Sequence, residues 1–471
     1  MGTIWTPTLN TGGGPKYKAV AQAIRDGLSA GDLAPGDKLP PVRDLAWRLG
    51  ITPGTVARAY TLLTDDGTLT AGVGRGTFVA QPDPRGPLLA DVPIEVDSAV
   101  HNAEATTWHV NLFSPHLPSV GQATLIRKLL GQVALDPPSG MMHYPTRDGA
   151  ADARAAAAAW LSGAALGPFG PDDVVLTHGG QNAILMVLQT LLSGRRPAVL
   201  VEDLAYPGFR RAAELLRADV VPVAMDEDGL IPEALEAAAR AADAQILCTS
   251  PEVHNPTLGF TPLARRQAIA EVCARANLQI IEDDCYRLGP PRARGYRMIA
   301  PERTWYISSI SKSLTPALRI GLAVAPPGRV QALRRTMEYS FFGLPTPMID
   351  LAAALLDHPE LPGLMDRARD EITAYVRIAA EVLEGAALTW RDDVPFLWLV
   401  LPEGWRAGAF VQAAEGQGVR IRAAEEYAAR DARAPHAVRF AINAGVPRDV
   451  FASAMGRLRT LLENPPDQIG V

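Results

Sequence analysis

From about residue 109 onward, short apolar runs recur between long alanine- and leucine-rich stretches. "DVVLT", "PAVLVED", "AQILCTS", "LQIIEDD" and "GLAVAP" are of strand length and apolar at successive rather than alternate positions. A strand of that kind buries both its faces. Alternating such strands with helices predicts a mainly parallel sheet covered on both sides by helices, an α/β fold. From about residue 330 the pattern changes again, and long helical segments mix with "FLWLVLP" and "AVRFAINAG", which predicts a smaller α+β lobe. The chain has 471 residues, too many for one core, so a second domain is expected.

That second domain precedes the sheet. In residues 14–80, "KYKAVAQAIRDGLSAGDL" puts Val20, Ile24 and Leu28 on one helical face and stops at Gly31. "LPPVRDLAWRLG" reads as a second helix ended by Gly50. A third opens with Thr52 as N-cap and Pro53 at the first helical position. "TLTAGVGRGTFVA" then reads as two short strands around a glycine-rich turn. Three helices and a hairpin in that order make a winged helix-turn-helix. Residues 81–108 are proline-rich and lack a helical period, as a linker does. Residues 109–471 form the large domain.

Net charge is −6, which excludes a protein that coats nucleic acid or anionic membrane by bulk electrostatics. The charge is uneven: residues 1–80 hold 8 Lys+Arg against 6 Asp+Glu, a basic head on an acidic body. The 3 cysteines, Cys248, Cys273 and Cys285, lack metal-ligand spacing and are too few for a disulfide framework. They read as buried thiols, and no metal site is expected. Neither a signal-peptide pattern nor an apolar run long enough to cross a bilayer is present, so a cytoplasmic protein is expected.

The chemistry of the large domain centres on "YISSISKSLTPALRIG", Tyr306 to Gly321. A lysine at the end of a buried strand is costly unless something uses or neutralises its amine. An aldehyde cofactor with a phosphate tail would do both. Lys312 would form the Schiff base, and Ser309, Ser311 and Arg319 would hold the phosphate. Other segments supply the remainder of a site for pyridoxal 5′-phosphate (PLP). Gly180 and Gln181 open a helix after a strand, where backbone amides suit a phosphate. Tyr206 could stack on the pyridine, and Asn255 and Tyr286 could reach its phenolic oxygen. Asp283 would keep the pyridine nitrogen protonated. Taken singly each of these has an ordinary structural reading; their order and their placement at apparent strand ends count together.

These motifs resemble two known families. "GDLAPGDKLPPVRDLAWRLGITPGTVARAYTLLTDDG" followed by "GRGTFV" resembles the GntR-type winged helix. The resemblance implies double-stranded DNA as partner, with Arg43 and Arg75 positioned on the phosphates. The place just after the helix cap, often basic in that family, holds Pro53-Gly54 here. Base reading is therefore left to Thr52, Thr55 or Arg58. Residues from about 110 to 465 resemble a fold-type I aminotransferase. That likeness implies the cofactor roles just given for Lys312, Asp283, Asn255, Tyr286, Tyr206, Gly180, Gln181, Ser309 and Arg319. It also implies Arg439, in "AVRFAINAG", as the clamp for a ligand α-carboxylate, and Tyr144 as a residue reaching the partner subunit's phosphate. Two departures stand near the cofactor: Leu258 interrupts the usual Asn-Pro-Thr-Gly, and Leu204-Ala205 replaces Pro-Gly. The whole chain resembles the MocR/GabR type of transcriptional regulator, which implies a homodimer arranged head-to-tail. Two functions remain open. One is a PLP-dependent regulator that senses a small amino compound through transaldimination at Lys312. The other is a working aminotransferase with an accessory DNA-binding domain.

Overall fold

The structure, a computed structural model, describes residues 5–7, 15–65, 68–72, 76–80, 109–146, 148–429 and 434–465. The chain divides into two units, residues 1–91 and 92–471.

The first unit follows its sequence signals closely. Helix α1 spans Lys16–Ala30 and ends at Gly31, whose φ of 82° only glycine takes easily. Helix α2 is Val42–Leu49, stopped by Gly50 in the same left-handed region. Helix α3, Pro53–Asp65, begins directly after Thr52. Strands β1, Leu69–Gly72, and β2, Gly76–Val79, pair antiparallel with Leu69 opposite Val79. The core is Val20, Ile24, Leu45, Val56 and Leu63, all without solvent exposure. Tyr60 fixes the α2–α3 pair by donating its hydroxyl to the Pro40 carbonyl at 2.8 Å. β2 is held on its other side too, because Leu39 N–H donates to Thr77 O and Val79 N–H to Asp37 O.

The second unit opens with β3, Val110–Asn111, and continues through β4, Val174–Thr177; β5, Ala198–Glu202; and β6, Asp219–Val223. A small hairpin, β7 (Met225–Asp226) and β8 (Gly229–Leu230), precedes β9, Ile246–Thr249; β10, Gln279–Asp283; β11, Thr304–Ser309; and β12, Gly321–Val324. Seven of these form one sheet in the order β4-β12-β11-β10-β9-β5-β6. Neighbouring strands are parallel except around β12, which runs antiparallel to both β11 and β4. The five apolar runs expected as strands are β4, β5, β9, β10 and β12, and every residue of these five is buried except the half-buried Gln279 that opens β10. The edge strand β6 carries no such run: it is half-exposed and contains Pro222, which an edge tolerates because no donor is missed there.

Reversal of β12 positions the site. The parallel strands end at one edge of the sheet, and an antiparallel strand begins there. Thr177, Gly321 and Ser309 therefore stand side by side in register. Backbones approach so closely here that a Cβ on Gly321 would lie 2.4 Å from the carbonyl carbon of Gly179.

The smaller lobe is a four-stranded antiparallel sheet, β13-β14-β17-β16. Its strands are β13, Ala387–Thr389; β14, Phe396–Val400; β16, Arg422–Ala423; and β17, Ala437–Ala441. Leu397, Leu399, Val438 and Phe440 pack on one face in a core with residues of helices Leu361–Val382 and Arg448–Glu463. Phe396, Trp398 and Ala441 form the other face, packed with Val253 and Leu258. Between β16 and its predecessor, β15 (Val419–Arg420) pairs with β3. Among the described residues no helix is long and apolar enough to cross a membrane.

Candidate functional site

A cavity of about 170 Å³ opens at the sheet edge where the parallel strands end. Each wall comes from a different element. Gly180 and Gln181 begin the helix Gly180–Leu191 three residues after β4. Asp283 is the last residue of β10, and Tyr286 follows in the next turn. Ser309 ends β11, with Ser311 and Lys312 just beyond. Arg319 leads into β12. Tyr206 closes the cavity from the start of the helix Pro207–Leu215, four residues beyond the end of β5 rather than at the strand end itself.

The electrostatics are mixed and unsatisfied. Among the described residues neither Lys312 nor Arg319 forms an ion pair. Ser309 donates its hydroxyl to the Ile320 carbonyl at 3.2 Å and accepts the Ser311 N–H at 3.1 Å. The two serine hydroxyls lie 2.9 Å apart. Asp283 accepts the Cys285 N–H at 3.0 Å, and burial lifts its carboxyl to about 6. Tyr286 responds the other way. Burial would raise its phenol, but the neighbouring charges of Lys312 and Arg439 outweigh burial and lower it. The Lys312 ammonium stands 5.3 Å from the Tyr286 ring centroid.

Arg439 reaches the cavity through Tyr286. It is fully buried on β17, donates through Nη2 to the Tyr286 hydroxyl at 3.2 Å, and through Nη1 to the Phe113 carbonyl at 2.9 Å. Its guanidinium also lies 4.2 Å from the Phe396 ring centroid. Asn255, in the loop after β9, does not line the cavity; it is buried with Oδ1 unpartnered. Tyr144 is away from this cavity as well. It is 75% exposed, with its ring 5.3 Å from that of Phe342.

Both sequence departures fall on one apolar cluster. Leu258 takes φ of 61°, a left-handed conformation that a leucine adopts only when its surroundings impose it. Burial among Val253, Phe396 and Trp398 supplies that constraint, and Leu204 and Tyr286 pack on the same cluster. His254 fixes the loop from within. Its Nε2–H donates to the Leu204 carbonyl, so Nδ1 accepts from the Thr257 hydroxyl, and burial holds the ring neutral with its pKa lowered to about 4.

Several residues at or beside the cavity have no site role in the sequence reading. Cys285 lines the wall so closely that a Cβ on Gly180 would fall 2.6 Å from its sulfur. Ser114 and Pro316 line it too, and Tyr427 bonds Arg439. Cys285 had a usable signal, since it sits between Asp283 and Tyr286. Ser114 and Tyr427 had none, because only the tertiary fold brings them there.

In the first unit, Arg43 on α2 and Thr52 before α3 are exposed, and Thr55 is half-exposed. The Thr52 and Thr55 hydroxyls lie 2.9 Å apart. Arg58 is exposed but stacked 4.4 Å from the Tyr17 ring centroid of α1. Arg75, expected in the wing turn, lies outside the described residues.

The description of class I and II aminotransferases matches residues 121–458. The chain belongs to that family. Residues 16–79 match the gntR family of bacterial regulatory proteins, so the chain joins a GntR-type helix-turn-helix to an aminotransferase domain, the MocR-type arrangement. Among curated relatives, YdeF of Bacillus subtilis, an uncharacterized HTH-type transcriptional regulator, is 27% identical over 98% of this chain and 97% of its own length. PdxR of Corynebacterium glutamicum, an HTH-type pyridoxine biosynthesis transcriptional regulator, is 29% identical over 67% of each chain. Among solved structures, an archaeal alanine:glyoxylate aminotransferase superposes with a TM-score of 0.68 at 20% identity, covering 79% of this chain and 96% of that one. This last likeness shows the fold, fold-type I with its mostly parallel seven-stranded sheet.

Proposed function

We propose that this MocR-type chain is a DNA-binding transcriptional regulator that holds PLP on Lys312 and senses a small amino compound there. One observation carries the reading: an unpaired lysine, two serine hydroxyls, an unpaired arginine and a buried carboxylate face one cavity in a chain that also carries a winged helix. Aminotransferases of this family typically use PLP, and the residues fit it. The donors Lys312, Arg319, Ser309 and Ser311 line the same cavity, a set that suits an aldehyde and a phosphate, and the glycines at 179 and 180 leave no room for a Cβ beside Arg319 and Cys285.

When bound, PLP supplies an aldehyde that takes up primary amines and a pyridinium ring that withdraws electrons. Lys312 would hold it, with Ser309, Ser311, Arg319 and the amides of Gly180 and Gln181 for its phosphate. Asp283 would serve the ring nitrogen, Tyr206 the ring face, and Tyr286 the phenolic oxygen together with Asn255, which stands off the cavity here. Arg439 takes the ligand carboxylate by exchanging the Phe113 carbonyl and the Tyr286 hydroxyl for it, a bidentate match that lysine does not make. The regions of work are residues 14–80 for DNA, 81–108 as linker and 109–471 for the ligand. In the first region Arg43 and Arg75 hold phosphates, while Thr52, Thr55 and Arg58 face the bases. The exposed Tyr144 suits a head-to-tail homodimer in which it reaches the neighbour's phosphate.

Turnover as an aminotransferase is the second reading, favoured by Lys312 itself. Its amine has no ion-pair partner, so once displaced it can hold or move a proton at the ligand α-carbon. The deciding experiment follows the PLP absorbance of the purified protein with a panel of amino acids and amines, with and without keto-acid acceptors. A stable spectral shift with one compound and no sustained conversion supports the regulator. Repeated conversion at a metabolic rate replaces it with the enzyme, and a colourless protein overturns both.

A further inference from the structure

The small lobe carries a second guanidinium close to Arg439. Arg422 on β16 and Arg439 on β17 are directly opposite each other in an antiparallel pair, so both side chains leave the same face of the sheet. Both donate to a single oxygen, the Phe113 carbonyl, Arg439 at 2.9 Å and Arg422 through Nε at 3.3 Å. The Phe113 ring in turn lies 4.6 Å from the Arg422 guanidinium. Two like charges on one neutral acceptor repel each other unless an anion joins them. The protein's own answer is incomplete. Glu426 pairs with Arg422, while among the described residues Arg439 forms no ion pair: it donates to the Phe113 carbonyl and the hydroxyls of Tyr286 and Tyr427, and its Nε has no partner. The Arg422–Glu426 pair is also easily exchanged, its side chains being 32% and 40% exposed.

We propose that this face receives a ligand with two acidic groups, the α-carboxylate on Arg439 and the second on Arg422 in place of Glu426. The compound captured in the cavity is then an amino dicarboxylate. This rests on the reading of the cavity as a PLP site that captures amines. The spacing favours short ligands: two guanidinium groups within hydrogen-bond reach of one oxygen are bridged by carboxylates about one to three methylenes apart. A neutral amino acid leaves the Arg422–Glu426 pair in place and gains only the Arg439 contact.

The test titrates the absorbance of full-length, PLP-loaded protein with L-aspartate, L-glutamate and L-2-aminoadipate, each against a neutral counterpart: L-asparagine, L-glutamine and L-norleucine. At least one acid binds more tightly than its counterpart by about tenfold or more, the worth of one charge-assisted contact. Arg422→Gln brings that ratio toward one, Arg422→Lys restores part of it, and Glu426→Gln raises affinity for the acid. Because Glu426→Gln leaves the arginine untouched, it decides the matter even where Arg422→Gln fails to fold. Equal affinity for acid and neutral compound in the wild type, or an acid preference that survives Arg422→Gln or is unmoved by Glu426→Gln, overturns the proposal. A PLP absorbance that none of the six compounds moves overturns it too. Absence of any PLP absorbance is a different failure, that of the PLP reading itself.

Discussion

Lys312, which lines the cavity, and Glu202, which does not, differ sharply in burial. Lys312 faces open space, and its replacement by alanine is expected to abolish the covalent PLP absorbance while leaving far-UV circular dichroism unchanged. Persistence of the absorbance would assign the covalent link to another lysine. Glu202, at the end of β5, is sealed in: it accepts from the Thr249 hydroxyl, and burial raises its carboxyl from 4.5 to about 7. A raised carboxyl means that the folded chain keeps a proton the unfolded chain has released. The stability it contributes is present below pH 4.5 and lost as pH climbs to about 7. Glu202→Gln should therefore match the wild type at pH 4.5 and exceed it at pH 8 by roughly 3 kcal/mol, read from denaturant midpoints of the PLP-free proteins. Parallel curves for the two proteins would mean that Glu202 ionises normally. That Lys312, Asp283, Ser309 and Arg319 line one cavity was readable in the sequence, because few residue types suit the chemistry proposed for them. Ser114 and Tyr427 were not, since a serine or tyrosine has many uses and only the tertiary fold selects one.

Helix ends were readable because caps are local chemistry. Gly31, Gly50 and the Thr52-Pro53 pair bound the three helices of the first unit where the sequence places them. The edge strand β6 was not, because a half-exposed strand with Pro222 lacks the apolar run that marks its neighbours. The two glycines beside the helix turn make opposite predictions. Gly50 has φ of 62° with open space around its Cβ position, so Gly50→Ala is destabilising through backbone strain alone, by about 1 kcal/mol or more. Gly54 lies in the first turn of α3 with equally open space and no positive φ, so Gly54→Ala stabilises by up to about 1 kcal/mol. Native-state amide exchange in α2 and α3 of the full chain reads both. Equal effects of one sign would contradict the assignment of the helix boundary at Gly50.

The two-part organisation was visible because a proline-rich stretch separates two different hydrophobic periods, and the two family descriptions match on either side of it. Charge belongs to this level too, with the basic residues of the head on an acidic body. Arg43→Ala is expected to weaken DNA binding about equally for all sequences and to reduce the salt slope by about 1, as a lost phosphate contact does. Binding that changes for one sequence only would make Arg43 a base reader, and unchanged binding would move the docking face elsewhere. The register of the large sheet has a further effect during synthesis. β4 meets its neighbour β12 only after the intervening chain is made, and β17 with Arg439 comes later still. The winged helix needs nothing beyond residue 80 for the contacts described here. On a ribosome adding about 5–20 residues per second, it folds on the order of tens of seconds before the last strand of the small lobe emerges. Every newly made copy thus passes through an interval in which the helix-turn-helix is complete and the ligand cavity does not yet exist.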